Sequence, residues 1–384
     1  MNKTKILVAL ILASMALAAC GSANTGPTPA ASPSAAVSVN QNNWEAEWNK
    51  ILDQGKKEGK IVLYTSVGGT EIRPAIANAF KSRYGIEVEF VVGKGEEIVA
   101  KLTSERAANL FLADAAIIGA PSQINFLKPQ GILDPMKPAL VLPEVTDTKS
   151  WIGGSLPFVD EAGQIFGFVA GYRSYLTINT EMVKQGDIKS YKDLLDPKWK
   201  GKLSLFDPSV GGSGNEWVSG VMRAYGQDGG VKYLKDMAKQ EPVITRDGRL
   251  QIEWVARGKY PVGIAARREN VSDFRALGAP LEWVDPVEGG TLSSGTGNLG
   301  LINKAAHPNA AKVFVNWLLG KEGQAIFVKG FGSPSARLDV STEGLDPDTV
   351  ATQSKKFYLV DEKLYLQYPQ LAEMARGIFA DQLK

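Results

Sequence analysis

Residues 61–118 read IVLYTSVGGTEIRPAIANAFKSRYGIEVEFVVGKGEEIVAKLTSERAANLFLADAAII. Ile61–Thr65 is short, apolar and β-prone, and predicts a buried strand. Glu87–Val92 and Ala113–Ile118 read as two further strands. Two segments of helical length separate them. The first follows the loop Ser66-Val67-Gly68-Gly69-Thr70 and ends before Gly85; the second covers Glu96–Ala108. A β-α-β-α-β order brings strands side by side through helical crossovers. It predicts a parallel sheet with helices on both faces.

The same grammar extends in both directions. Upstream, Asn43 is a candidate N-cap, and Trp44, Trp48, Ile51 and Leu52 fall on one helical stripe. Glu45 and Glu47 in the first turn and Lys56 and Lys57 in the last suit the helix dipole, and Gly59 is a stop signal. Downstream, Tyr175–Asn179, Lys202–Phe206, Pro261–Ala266 and Gly297–Asn303 read as strands. A glycine-rich loop, 207–214, opens a helix from about Asn215; Val231–Lys239 and Leu250–Arg257 are helical. His307-Pro308-Asn309 initiates a helix through Leu319, and Lys321–Lys329 gives another. Residues 341–384 read as mostly helical. The expectation is an α/β protein of two lobes, with the chain crossing between them more than once.

The length of 384 residues suits two domains, and 44% hydrophobic with 22% charged residues is ordinary for a folded chain. Lys3 and Lys5 are the only charges in residues 1–20. A chain starting at residue 20 therefore keeps 41 basic residues against 41 acidic ones. Such a neutral protein is a poor nucleic-acid binder. One cysteine and one histidine exclude a disulfide framework, a Cys-rich metal site and a two-histidine metal centre, and argue against a Ser/His triad. No GxxxxGK[ST] appears, and Gly93-Lys94-Gly95 lacks the third glycine of a dinucleotide fingerprint.

Residues 1–19 have the basic start and short apolar run of a secretory signal peptide. The run closes on Leu17-Ala18-Ala19-Cys20, which resembles a bacterial lipobox and implies lipidation of Cys20. Residues 21–43 hold no charge and no aromatic, so 20–43 read as an anchored, disordered tether. The expected location is outside the cytoplasm, lipid-anchored to the outer face of the cytoplasmic membrane or in the periplasm.

Several later motifs belong together: Pro286-Val287-Glu288-Gly289-Gly290-Thr291, Gly300-Leu301-Ile302-Asn303-Lys304, His307-Pro308-Asn309-Ala310-Ala311-Lys312, Phe314-Val315-Asn316-Trp317-Leu318-Leu319 and Lys321-Glu322-Gly323-Gln324. Tyr64-Thr65-Ser66, Asp196-Pro197-Lys198-Trp199-Lys200-Gly201-Lys202 and Gly332-Ser333-Pro334 join them. Their order and spacing, over roughly residues 57–340, resemble the extracellular solute-binding proteins of ATP-driven importers, specifically the ferric-iron-binding-like family. The resemblance implies a two-lobed periplasmic-binding-protein type 2 fold, with mixed sheets flanked by helices and a ligand cleft between lobes. It implies crossovers near Gly171–Tyr175 and Ser294–Gly297. Lobe 1 would comprise 44–170 plus 295–340, and lobe 2 would comprise 171–294 plus 341–384. The implied partners are a small ligand, an ABC permease and, indirectly, a separate ATPase; the protein would be a monomer without a cofactor.

Iron-binding members of that family ligate ferric ion with an adjacent tyrosine pair, which should follow the strand at Pro261–Ala266. Here Arg267-Arg268-Glu269 stands in that place, and guanidinium has no lone pair to offer a metal. Gly68 and Gly69 occupy the position of a possible histidine, and no glutamate lies near Ile118-Gly119-Ala120. The residues point to an anion instead. Ser66, Gly68, Gly69 and Thr70, and Ser209, Gly212, Ser213 and Gly214, each link a strand to a helix and can expose backbone N–H groups at a helix N-terminus. Arg173, Arg249, Arg267 and Arg268 can add forked donors, and Tyr172 and Gly119 complete the candidate cleft; Trp217 can stack on a ligand but more commonly such a residue packs in a core. Each feature also has a plain structural reading: a turn, a solvated arginine, a core aromatic. The expected ligand is a small organic oxyanion (carboxylate, phosphate ester, phosphonate or sulfonate), with no catalysis. Ferric iron or an iron chelate is the alternative ligand. A secreted hydrolase or a sensory ligand-binding module is the alternative from another class.

Overall fold

The computed structural model describes residues 44–69, 71–352 and 354–383. The signal peptide, Cys20, the tether and Asn43 lie outside the described residues, as does Thr70 of the first glycine loop. The chain opens with α1 (Trp44–Glu58), β1 (Lys60–Thr65), α2 (Ile72–Tyr84), β2 (Glu87–Val92), α3 (Gly95–Ala107) and β3 (Ala115–Ile117). There follow β4 (Leu133–Asp134), β5 (Ile165–Gly167), β6 (Gly171–Arg173), β7 (Leu176–Asn179) and β8 (Leu203–Phe206). Next come α4 (Ser213–Ala238), β9 (Val243–Thr245), α5 (Gly248–Ala256), β10 (Val262–Ile264), α6 (Arg268–Ala276) and β11 (Leu281–Val284). The chain ends with β12 (Gly290–Ser293), β13 (Asn298–Ile302), α7 (Pro308–Leu319), α8 (Lys321–Phe331), β14 (Phe357–Leu359) and α9 (Glu362–Ile378).

Two main sheets form. The first has the order β2-β1-β3-β13-β4, with β5 also paired to β13. β1 runs parallel to β2 and β3, but β13 is antiparallel to β3, so the sheet is mixed. β1 is buried on both faces. Ile61 and Leu63 enter one apolar cluster with Phe80 and Phe314, and Val62 and Tyr64 enter another with Ile98 and Leu102. This two-sided burial explains its unbroken apolar run. α2 ends where Gly85 adopts φ 73°, a left-handed cap. The helix after His307 is capped from elsewhere: the Glu58 carboxylate accepts from Asn309 N at 2.9 Å and from Ala310 N at 2.7 Å. His307 Nδ1 instead lies 2.9 Å from Asp114.

The second sheet has the order β11-β7-β10-β8-β9. Its core gathers Tyr175, Leu205, Trp217 and Leu234, with Leu371 and Ala375 of α9 and Phe379 just after it. The helix expected from Asn215 and the one expected over Val231–Lys239 form one run, α4, broken in direction at Gly226, whose backbone (φ 73°, ψ 178°) is not helical. The first main sheet and the second are the sheets of two lobes. A third sheet, β14-β12-β6, lies between them in sequence: β6 precedes β7 of the second sheet, and β12 precedes β13 of the first.

One expectation fails in part. Residues 341–384 are not mostly helical before α9. They hold turns, a 3-10 turn at Pro347–Thr349, and β14. β14 pairs parallel to β12, from Gly290↔Phe357 to Leu292↔Leu359. Three residues are too few to display a periodicity, and their pairing partner lies some seventy positions upstream.

Candidate ligand-binding cleft

The crossover strands β6 and β12 form an antiparallel pair, with Ser293 opposite Gly171 and Thr291 opposite Arg173. Beside them lies a cavity of about 270 Å³. Tyr172 and Arg173 line it from β6, Ser293, Ser294 and Gly295 from the second crossover, Arg268, Glu269 and Ser272 from α6. The loop after α8 contributes Ser333, and the 341–349 segment contributes Asp346 and Thr349. Gly171 lets the walls meet, because a Cβ there would lie 2.5 Å from Ser333 Oγ.

Two guanidiniums share this cavity. Arg268 Nη2 donates to the Tyr172 carbonyl at 2.5 Å, and its charge lies 5.3 Å over the Trp283 ring. Arg268 Nη1 is buried and has no hydrogen-bond partner. Its nearest carboxylate, Asp346 Oδ2, stands 3.9 Å away, beyond hydrogen-bond distance. Burial, and then the charge of Arg173, hold the Arg268 guanidinium below its ordinary pKa. Arg173 behaves oppositely: Glu216, 3.3 Å from its Nη1, holds it above the ordinary value against burial. Tyr172 is buried, its hydroxyl has no hydrogen-bond partner, and burial pushes its pKa up, with Asp285 adding to the shift.

The glycine-rich loop 207–214 is organised from within. The buried Asp207 carboxylate accepts from Ser209 N at 2.8 Å, Ser209 Oγ at 2.7 Å and Arg246 Nε at 2.7 Å. Burial pushes this carboxyl up, but those bonds win and hold it below the ordinary range. Gly214 packs on the loop: a Cβ there would lie 2.1 Å from the Asp207 carbonyl oxygen. Gly212, with φ 100°, precedes α4, and Ser213 Oγ is buried without a partner. In the first lobe, Ser66 N donates to the Ile117 carbonyl, while Ser66 Oγ is buried and unpartnered. Gly68 and Gly69 are exposed, and Gly69 has φ 92°. Gly119 approaches the second crossover; a Cβ there would lie 3.9 Å from the Gly295 carbonyl oxygen.

The structure thus brings Tyr172, Arg173 and Arg268 together at one cavity. Among the described residues, the other candidates do not line it. Arg267, the residue before α6, lies over the Phe206 ring at 4.8 Å with its side chain 44% exposed. Arg249 lies over Phe274 at 5.2 Å, spent on packing α5 against α6. Ser209 is consumed by Asp207, and Trp217 is core of the second lobe. Sequence reading missed Ser293, Ser294, Ser333, Asp346 and Thr349. The crossover location was a usable signal for the first two. Among the described residues, no three His, Cys, Asp or Glu side chains converge as a metal-ligand group.

Residues 75–356 match the family described as bacterial extracellular solute-binding protein. The chain is 23% identical over 301 residues to iron uptake protein A1 of Synechocystis sp., covering 73% of this chain and 76% of that one. Its fold is similar to iron-bound HitA from Pseudomonas aeruginosa (TM-score 0.61, 20% identity, 83% of this chain and 99% of the other). It is also similar to the periplasmic binding protein AfuA from Actinobacillus pleuropneumoniae, solved with exogenous fructose-6-phosphate (TM-score 0.57, 22% identity, 85% and 98%).

Proposed function

The chain belongs to the bacterial extracellular solute-binding proteins, and from that premise we propose that it captures a small organic oxyanion for an ABC importer. The observation that carries the ligand class is Arg268 Nη1, a buried charged donor without an acceptor, beside a second guanidinium. A buried unpaired donor is costly, and an acid oxygen supplies the missing bond and relieves the repulsion between Arg268 and Arg173. A cavity of about 270 Å³ suits a small molecule.

Capture proceeds by lobe closure about the paired crossovers β6 and β12, with the closed state favoured by contacts from both sides. No bond is made or broken. Cys20 carries lipid, residues 21–43 serve as tether, and the closed protein meets a membrane permease whose ATPase is a separate chain. The lobes divide as 44–170 plus 295–340 and 171–294 plus 341–384, and one copy suffices. An iron chelate is the second reading, favoured by the relative described as an iron uptake protein; its carboxylates would meet the same arginines.

Titration calorimetry with carboxylates, phosphate esters, phosphonates, sulfonates, ferric citrate and free ferric ion tests the proposal. The expected result is saturable binding of an organic acid, recovered unchanged. Binding only of neutral solutes or of the bare metal would refute it.

A further inference from the structure

The cavity is not simply basic. Its lining holds two arginines, Arg173 and Arg268, and two carboxylates, Glu269 and Asp346. Glu216, at 3.3 Å from Arg173, adds a third negative charge just behind the wall. By formal charge the lining is neutral, and just outside it Glu216 faces Arg173 while Arg267 stands 3.9 Å from Glu269. A ligand that is only an anion would satisfy the guanidiniums and crowd its charge against Asp346, which stands 3.9 Å from the very nitrogen it must reach. A carboxylate accepts hydrogen bonds and donates none, so the ligand group facing Asp346 and Glu269 must be a donor. Asp346 is held for that role: its Oδ1 accepts from Asp348 N at 3.0 Å, and Asp348 in turn pairs with Arg275 of α6 at 2.5 Å. This fixes the 341–349 segment against the same helix that carries Arg268.

From this arrangement we infer that the ligand is a small zwitterion, an oxyanion bearing an ammonium group two or three atoms away, with Asp346 and Glu269 as the residues that select the ammonium. A hydroxyl also donates, but it leaves the charges of Asp346 and Glu269 without an opposite once the oxyanion takes up the guanidiniums, whereas an ammonium leaves each charge facing its opposite. The serines of the lining donate or accept as the remainder requires. This inference rests on the oxyanion reading and narrows it.

The test is calorimetry on the full mature chain with matched probes: taurine, isethionate and ethanesulfonate; β-alanine and propionate; phosphoethanolamine and ethyl phosphate. At least one ammonium-bearing probe should bind about tenfold or more tightly than its partner without the amine. The double variant Asp346→Asn with Glu269→Gln should compress that ratio to about threefold or less while the amine-free partner binds no worse. Equal or tighter binding of the amine-free acids would overturn the zwitterion and leave the oxyanion reading standing. So would isethionate binding as well as taurine, which would make the carboxylates readers of hydroxyls. Binding of no ammonium-bearing probe would also overturn it. If neutral solutes alone bind, the oxyanion reading falls as well. The wild-type ratio carries the test even if the double variant is unstable.

Discussion

The glycine-rich loop at 207–214 and the crossover strands at 171–173 and 290–293 both lie where a strand gives way to another element, yet their polar groups have different fates. In the loop, Asp207 takes up both Ser209 donors and Arg246, and Gly214 fits tightly on the Asp207 carbonyl. At the crossovers, Arg268 Nη1 is buried without a hydrogen-bond acceptor, with Asp346 no closer than 3.9 Å, and Arg173 lines open volume. Glycine and serine before a helix look like an anion cradle, but a buried aspartate can turn that pattern into a self-satisfied turn. The loop leaves only a neutral hydroxyl, Ser213 Oγ, without a partner, whereas the crossovers leave a charged guanidinium nitrogen without an acceptor, and that costlier group is what favours a ligand there.

The largest effect should come from Arg268→Ala. Hydrogen bonds to charged groups contribute ~1.5–3 kcal/mol, so affinity for the tightest-binding oxyanion should fall by about 10- to 150-fold. Circular dichroism should show the fold intact. Unchanged affinity would move the site toward the glycine loop and reverse the comparison.

Asp207→Asn probes the other region and should act on stability rather than binding. The folded carboxyl titrates below its ordinary range. Its contribution is therefore complete above the unfolded value of ~3.9 and is lost as pH falls through the lower folded value. Loss of a charged hydrogen bond of ~1.5 kcal/mol should lower Tm at pH 7 by a few degrees at most. The gap between variant and wild type should narrow as pH falls below about 4. A gap that widens on acidification would contradict the assignment.

Smaller effects sharpen the contrast. Arg267→Ala, next to Arg268 but over Phe206, should change affinity by about threefold or less, since a cation–π contact at an exposed site contributes ~0.5–1 kcal/mol. Arg249→Ala, on Phe274, should leave affinity unchanged in the same titration. A large loss in either would return the adjacent candidate to the cleft.

Much of the frame was legible because it rests on local signals. Ile61–Thr65 is buried on both faces and reads as a continuous apolar run, and Gly85 caps α2 as a left-handed residue. The crossovers came from resemblance rather than pattern, since Gly171–Arg173 is three residues long. Arg267 and Arg268 could not be told apart in sequence. Their divergence follows from α6 beginning at Arg268, which turns adjacent side chains toward Phe206 and toward the Tyr172 carbonyl. Asp346 and Thr349 were invisible because closure of a long segment, not local spacing, brings them to the cavity.

The most direct test of the central claim is a crystal structure grown with the tightest-binding acid of the titration series. The expected density places its acid oxygens within hydrogen-bond distance of Arg268 Nη1 and of Arg173. An acid bound away from both guanidiniums, or a metal ion seated in that cavity in place of the acid, would contradict it.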